Sequence, residues 1–415
     1  MDATSKPAVM DRYRESYRLY ELAHGLIPGG VTKARVPFVP GRYPVYATRA
    51  RGARCWDVDG NEYIDWMCGY GAILLGYQWA EVDQAVVAQM SEGFGTLLSN
   101  PRQNELAERL IGLIPCAETV RLLKTGTDAT TAAVRTARIF TGRDKIVRFG
   151  YHGWADWSLA NFEGFDAGVP QAVRELTLSL QYNDLESVRR LFADNPAEIA
   201  GVIMMPFETE APAPGFLEGV RDLCHENGAV FILDEIRSGF RMAPGGAQEY
   251  LGVTPDLATF SKAMGNGYAI SALVGRREIM GDGTRGLFSA TFFTNPLEMA
   301  AALAVLDILE REPVIEHLWR LGGLLQDGLR ELAARSGLPL EVTGYPPMPF
   351  LQFRLEEAER NQLATQEFFA QACARGVYLH PGHHWFVSYA HTEADVHATL
   401  EACAAALKET EAVVG

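Results

Sequence analysis

Apolar residues recur three and four positions apart over Glu81–Glu92, Asn104–Ile114 and Asp128–Phe140, the spacing of helices with one buried stripe. Short, almost continuous apolar runs follow at Lys145–Phe149, Ala200–Met205, Ala229–Leu233, Leu257–Phe260 and Ser271–Val274. Runs of that kind, separated by helical stretches such as Phe216–Glu226, predict strands covered on both faces. That is the signature of an α/β fold with a mostly parallel central sheet. Ahead of it, Tyr13–Asp65 mixes one short helical pattern with turns, and Trp56–Ile64 reads as a hairpin about Asp59-Gly60. From Leu297 the texture changes. Helices Leu297–Leu309 and Ile315–Arg335 precede a strand-like Phe350–Arg354, a further helix, the apolar run Trp385–Tyr389 and a closing helix from Glu393. The expected partition is an N-terminal segment 1–65, a large domain 66–300 and a smaller α+β C-terminal domain 301–415.

Composition narrows the function classes. With Lys+Arg 37 against Asp+Glu 52, the net charge is −15. No basic stripe is present, which argues against a nucleic-acid partner, since phosphate contacts supply most of that affinity. No apolar run approaches the roughly 20 residues that span a bilayer, and the polar start of the chain has no signal-peptide core. The six cysteines are scattered without a Cys-x-x-Cys pair, a pattern of buried apolar residues in a reducing compartment. A cytoplasmic protein is the expectation.

Lysine is scarce, so the setting of Lys262 stands out. It follows Leu257-Ala258-Thr259-Phe260-Ser261 and precedes Ala263-Met264-Gly265-Asn266-Gly267. A lysine at the end of a buried strand is partly desolvated, which favours the neutral amine needed for a Schiff base; a head snorkelling to water is the alternative. Asp234 ends the apolar strand Ala229–Leu233, and ligands of open α/β sheets bind at such strand ends. A carboxylate there can keep a ring nitrogen protonated, or it can simply cap a helix. Thr125-Gly126-Thr127-Asp128-Ala129-Thr130 opens an Ala-rich helix, as an anion site or as a cap. Tyr151, in Tyr151-His152-Gly153-Trp154, can stack on a planar ring or pack in the core. Their order along the chain describes a pyridoxal 5'-phosphate site.

These segments resemble the class III pyridoxal-phosphate aminotransferases, and within them the branch of glutamate-1-semialdehyde aminomutase. Ile27-Pro28-Gly29-Gly30-Val31 and Trp56–Asp65 match the N-terminal signature, and Thr125–Ala129 is similar to the phosphate loop. Leu233–Arg241 and Ser261–Gly267 match the acid and lysine motifs, Thr291–Pro296 a Thr-x-Ser-Gly-Asn-Pro segment, and Trp385–Thr392 the C-terminal strand. The resemblance implies fold type I and a homodimer. It implies Lys262 as Schiff-base lysine and proton shuttle, Asp234 on the pyridine nitrogen, and Gly126 and Thr127 on the phosphate. Tyr151 and Ile236 would flank the ring, and Thr291 would reach the phosphate of the neighbouring subunit. The segment 1–65 would contribute to the small domain and to the active site.

Specificity is less legible. Val31-Thr32-Lys33-Ala34-Arg35 offers Arg35 or Lys33 as a clamp for a substrate carboxylate, Arg having the better fork; a solvated loop charge is the alternative. Met204-Met205-Pro206-Phe207-Glu208 departs from the family's Glu-Pro-x-x-Gly stretch, and Glu208 is a further substrate-binding candidate. Trp154, Trp157, Tyr70 and Phe293 would line an apolar substrate pocket, or pack. His380-Pro381-Gly382-His383-His384 has no carboxylate or cysteine partner in sequence, so no metal is expected. The expected activity is transfer of an amino group between an amino acid (β- or ω-amino included) or small amine and a keto or aldehyde acceptor. An aminomutase or epimerase would use the same apparatus. A nicotinamide oxidoreductase lacks its Gly-x-Gly-x-x-Gly here, and a non-catalytic relative would not need Lys262, Asp234 and Thr291 together.

Overall fold

A computed structural model describes residues 12–32, 45–281 and 283–414. The chain separates into two compact units, Met1–Trp79 with Glu316–Gly415, and Ala80–Ile315.

In the first unit, β1 (Ala47–Arg51), β2 (Arg54–Asp57) and β3 (Glu62–Asp65) form an antiparallel meander, and the two-residue strand Val377–Tyr378 pairs parallel with β3. The expected hairpin turn lies between β2 and β3. One Asp57 oxygen accepts the N–H groups of Asp59 and Asn61, the other accepts Asn61 Nδ2 and the Tyr63 hydroxyl, and Gly60 takes φ 85°. Only a residue without Cβ adopts that φ cheaply. Trp66 is fully buried, donates to Thr399 Oγ1 at 2.8 Å and stacks on His391 at 4.0 Å between ring centroids. Trp385–Val387 is buried but forms no strand. Trp385 and Val387 donate to the carbonyls of Pro349 and Pro347, two residues apart on one segment, and Phe386 donates to Trp66; neither proline has an N–H to return, so the expected C-terminal strand closes no ladder.

The second unit is built on a seven-stranded sheet: β4 (Thr119–Leu123), β5 (Lys145–Phe149), β6 (Thr177–Ser179), β7 (Ile199–Met204), β8 (Val230–Asp234), β9 (Leu257–Phe260) and β10 (Ser271–Gly275). Their order is β4-β10-β9-β8-β7-β5-β6. Six run in one direction, and only β10, between β4 and β9, runs antiparallel to its neighbours. Every residue of β7 to β10 is buried, as the unbroken apolar runs require. Successive residues serve opposite faces. Ile146, Ile203, Val230 and Ile232 pack with Ala129, Ala133 and Ala137 of helix Gly126–Thr141. Val147, Val202, Met204, Phe231 and Leu233 pack with helices Leu185–Asp194 and Phe216–Glu226. Each large buried side chain contributes about 1.5–3 kcal/mol. This packing fixes the strand ends from which the functional loops spring. Helix Pro296–Arg311 belongs to this unit and packs on helices Ala80–Glu92 and Arg102–Leu113. Among the described residues, no helix is long and apolar enough to cross a membrane.

Candidate active site

The chemistry-bearing residues of Ala80–Ile315 gather at the carboxyl ends of the parallel strands. Asp234 is the last residue of β8 and only 4% exposed. Its Oδ1 accepts the Ile236 N–H at 3.1 Å and the Thr259 hydroxyl at 3.2 Å, and its Oδ2 lies 2.6 Å from His152 Nδ1. Facing a carboxylate, Nδ1 carries the imidazole proton and donates it. The other ring nitrogen, Nε2, is buried without a partner. His152 lies just beyond the end of β5. Its backbone N–H goes to the Ser158 hydroxyl, its carbonyl accepts from Thr130 Oγ1, and its ring stacks on Trp157. The sequence pattern points to Tyr151 in this segment and not to its neighbour His152. The signal was a histidine at a strand end, in the motif already singled out.

Thr125-Gly126-Thr127-Asp128 divides its labour. Thr125 and Asp128 form a reciprocal cap: Thr125 Oγ1 accepts the Asp128 N–H at 3.2 Å, and Asp128 Oδ2 accepts the Thr125 N–H at 2.8 Å. Gly126 and Thr127 then present the first N–H groups of the helix, which have no intrahelical acceptor. A Cβ on Gly126 would meet Ile236 Cδ1 at 2.8 Å, and one on Gly153 would meet Thr127 Oγ1 at 2.3 Å. The loops after β4, β5 and β8 therefore close on one another with no room for side chains at the two glycines.

Lys262 opens the short 3₁₀ turn Lys262–Gly265 just after β9, and Asp234 stands in register with Thr259 on that neighbouring strand. The backbone of Lys262 is left-handed, φ 45°, a conformation that costs a non-glycine residue about 1–2 kcal/mol. Strain held this way in a buried turn is typical of functional positions. Tyr151 is 54% exposed, and partial burial raises its phenol above the ordinary value. Thr291 lies in an exposed turn before helix Pro296–Arg311. Glu208 is exposed, after β7. Arg35 and Lys33 lie outside the described residues. Trp157 is buried in the core, donating to Thr131, whereas Trp154 is 75% exposed. Tyr70 packs edge-on against His380 and His383 in the first unit, where His380 Nδ1 accepts the Gly382 N–H. Among the described residues, no three His, Cys, Asp or Glu side chains are grouped to hold a metal ion.

The family profile "Aminotransferase class-III" matches residues 39–407. The chain belongs to the class-III aminotransferases. The 3-aminobutyryl-CoA aminotransferase of Cloacimonas acidaminovorans is 42% identical over 406 residues, covering 95% of this chain and 97% of that protein. The FumI protein of Sphingopyxis sp. MTA144, solved in its PLP internal aldimine form, superposes with a TM-score of 0.90 at 34% identity, covering 95% and 96% of the two chains. The β-phenylalanine aminotransferase of Variovorax paradoxus gives 0.87 at 28%, covering 99% and 97%. The fold is that of the PLP-dependent transaminases, fold type I, and the enzyme is a pyridoxal 5'-phosphate-dependent aminotransferase. The residues present fit that cofactor. The glycine-walled cradle at a helix N-terminus suits a phosphate, and a buried carboxylate anchored by three donors suits a protonated ring nitrogen.

Proposed function

We propose that Lys262 and Asp234 carry out transamination of a β-amino acid or β-aminoacyl substrate, returning the amino group to a keto or aldehyde acceptor. The observation that carries this reading is the Asp234 carboxylate, held at 2.6 Å by a buried histidine at the end of β8, with Lys262 opening the turn after the adjacent strand. The β-amino preference is supported by the 3-aminobutyryl-CoA and β-phenylalanine aminotransferases to which the chain is similar. When bound, pyridoxal phosphate withdraws electrons from the substrate carbon that bears the amine.

The chain's own residues do the rest. Lys262 Nζ takes the proton from the donor's amine-bearing carbon and, in the return half-reaction, gives one to the acceptor's carbonyl carbon, while Asp234 holds the ring proton in place. The Gly126 and Thr127 N–H groups anchor the phosphate, Tyr151 and Ile236 flank the ring, and Arg35 or Lys33 meets a substrate carboxylate. Thr291, exposed on its turn, serves the phosphate of a second subunit in a homodimer. In this reading the cofactor-binding residues lie in the unit Ala80–Ile315 rather than in a domain bounded at 66 and 300. A cytoplasmic location belongs to the same reading, supported by six cysteines that are all free thiols.

Absorbance of the purified protein in the visible range, abolished in Lys262→Ala, is the expected result; a wild type that takes up no pyridoxal phosphate refutes the proposal. Incubation with donor alone separates the activities. An aminotransferase stops after one equivalent, while an aminomutase turns its substrate over without an acceptor.

A further inference from the structure

Lys124 follows β4 and directly precedes Thr125, the residue that caps the cradle helix. Its Nζ lies 2.7 Å from Glu298 Oε2, and the two side chains are only 12% and 17% exposed. Water therefore screens this pair less than a surface ion pair, and a hydrogen bond reinforces the charge. Glu298 stands in the first turn of helix Pro296–Arg311, where the helix dipole also favours an anion. Its other oxygen, Oε1, accepts Asn295 Nδ2 at 3.3 Å. Asn295 closes the turn that carries Thr291, its own N–H going to the Phe292 carbonyl. The same helix packs on the 3₁₀ turn opened by Lys262. On β10, the Ser271 hydroxyl donates to the Thr125 carbonyl at 2.8 Å and pins the loop from a second strand. One ion pair thus joins the helix start that presents the Gly126 and Thr127 N–H groups to the Thr291 turn and to the helix behind Lys262.

We propose that Lys124 and Glu298 are positioning residues for the cofactor phosphate. Their ion pair holds the cradle and the Thr291 turn in fixed relation, and Lys124 cancels a carboxylate that would otherwise repel a phosphate dianion. The proposal rests on the cofactor reading above. Held in this way, the cradle N–H groups meet the phosphate without first being ordered, which is where preorganisation gains affinity. In the homodimer of that reading the cradle serves the phosphate of its own subunit and Thr291 that of the second, so the pair sets the spacing between two phosphate sites.

The test compares pyridoxal phosphate with pyridoxal, which lacks the phosphate. Apo wild type, K124M, K124M/E298Q and K124R are titrated with each, following absorbance, and their urea midpoints are measured. K124M cuts the tether and strands a carboxylate beside the cradle. It should bind pyridoxal phosphate about tenfold or more weakly, while pyridoxal changes less than about twofold. K124M/E298Q removes the stranded charge and recovers part of that loss, but stays about threefold weaker than wild type because the tether is still missing. K124R keeps charge and reach and should bind pyridoxal phosphate within about twofold of wild type. If K124M does not fold, the double variant carries the same comparison of the two ligands. Pyridoxal weakened as much as pyridoxal phosphate, or a lowered urea midpoint with both affinities unchanged, makes the pair a folding element and overturns the proposal. Wild-type affinity for pyridoxal phosphate in K124M/E298Q overturns it as well. A wild type that gains no absorbance with pyridoxal phosphate would instead remove the cofactor reading on which the proposal stands.

Discussion

Gly153→Ala separates two costs that meet at the phosphate cradle. Gly153 has φ 101°, and an added Cβ would lie 2.3 Å from Thr127 Oγ1, 2.9 Å from its Cβ and 3.0 Å from its Cα. Rotating the threonine moves the oxygen but not the other two atoms, so the helix start itself must retreat. The left-handed backbone costs about 1–2 kcal/mol and the overpacking about 1–3 kcal/mol, giving about 2–5 kcal/mol in all. Gly164→Ala isolates the first cost, because φ there is 78° and nothing lies within 4 Å. It should lose only about 1–2 kcal/mol. Gly126→Ala isolates contact without strain. Its φ is ordinary for an L-residue, and the nearest atom at 2.8 Å is the mobile end of Ile236. That end can turn aside, so folding is nearly unchanged while the displaced Ile236 weakens cofactor binding. Urea midpoints of the apo proteins and absorbance titrations with pyridoxal phosphate give both quantities. If Gly153→Ala is no less stable than Gly164→Ala and binds cofactor as tightly as wild type, the closeness of the two loops plays no part.

Two further outcomes follow from buried histidines. His152→Phe strips Asp234 Oδ2 of its 2.6 Å donor. It should cost about 1.5–3 kcal/mol of apo stability and weaken cofactor binding, with His152→Gln recovering part because it can still donate; equal cofactor affinity in all three proteins would falsify the role. His391 is 1% exposed, its Nδ1 accepts the Ser388 N–H at 2.9 Å, and burial lowers its pKa from 6.5 to about 4. It is neutral in the fold, so the unfolded chain binds more protons between those values. Its contribution is whole above pH 6.5 and is lost as pH falls to about 4. By linkage the loss amounts to about 3 kcal/mol. Urea midpoints across that range should fall less steeply in His391→Asn, and identical slopes would refute the assignment.

The parallel core was legible because burial on both faces leaves an unbroken apolar signature, seen in β7 to β9. β4 and β6 were not found. β4 carries Arg121 at its centre and is buried only at Leu123, and β6 is three residues long, so neither presents a run. Trp385–Val387 failed in the opposite direction. Its apolar run records burial, but a ladder needs bonds in both directions, and the segment that accepts from Trp385 and Val387 offers Pro349 and Pro347, which have no N–H to give back. Helix Pro296–Arg311 straddled the expected boundary at 300 because its all-round apolar sequence marks deep burial without saying in which unit.

At the site, what sequence conveyed was residue identity at strand ends; what it withheld was which atoms share a carboxylate. Asp234 as a lone acid at the end of an apolar strand is costly, since burying an anion without donors is unfavourable by several kcal/mol. The structure supplies three donors, one local and two distant in sequence: Ile236 from its own loop, Thr259 from the neighbouring strand and His152 from the loop after β5. No local pattern encodes that convergence. It requires the sheet to bring β5, β8 and β9 into order first. The same dependence explains the left-handed backbone at Lys262. Strain of about 1–3 kcal/mol persists only where the surroundings over-determine it, and here β8 and β9 are buried at every residue. The uniformly apolar strands thus do more than fill a core. Their rigidity holds a strained lysine and a buried carboxylate on adjacent strand ends, which a looser sheet would let relax apart.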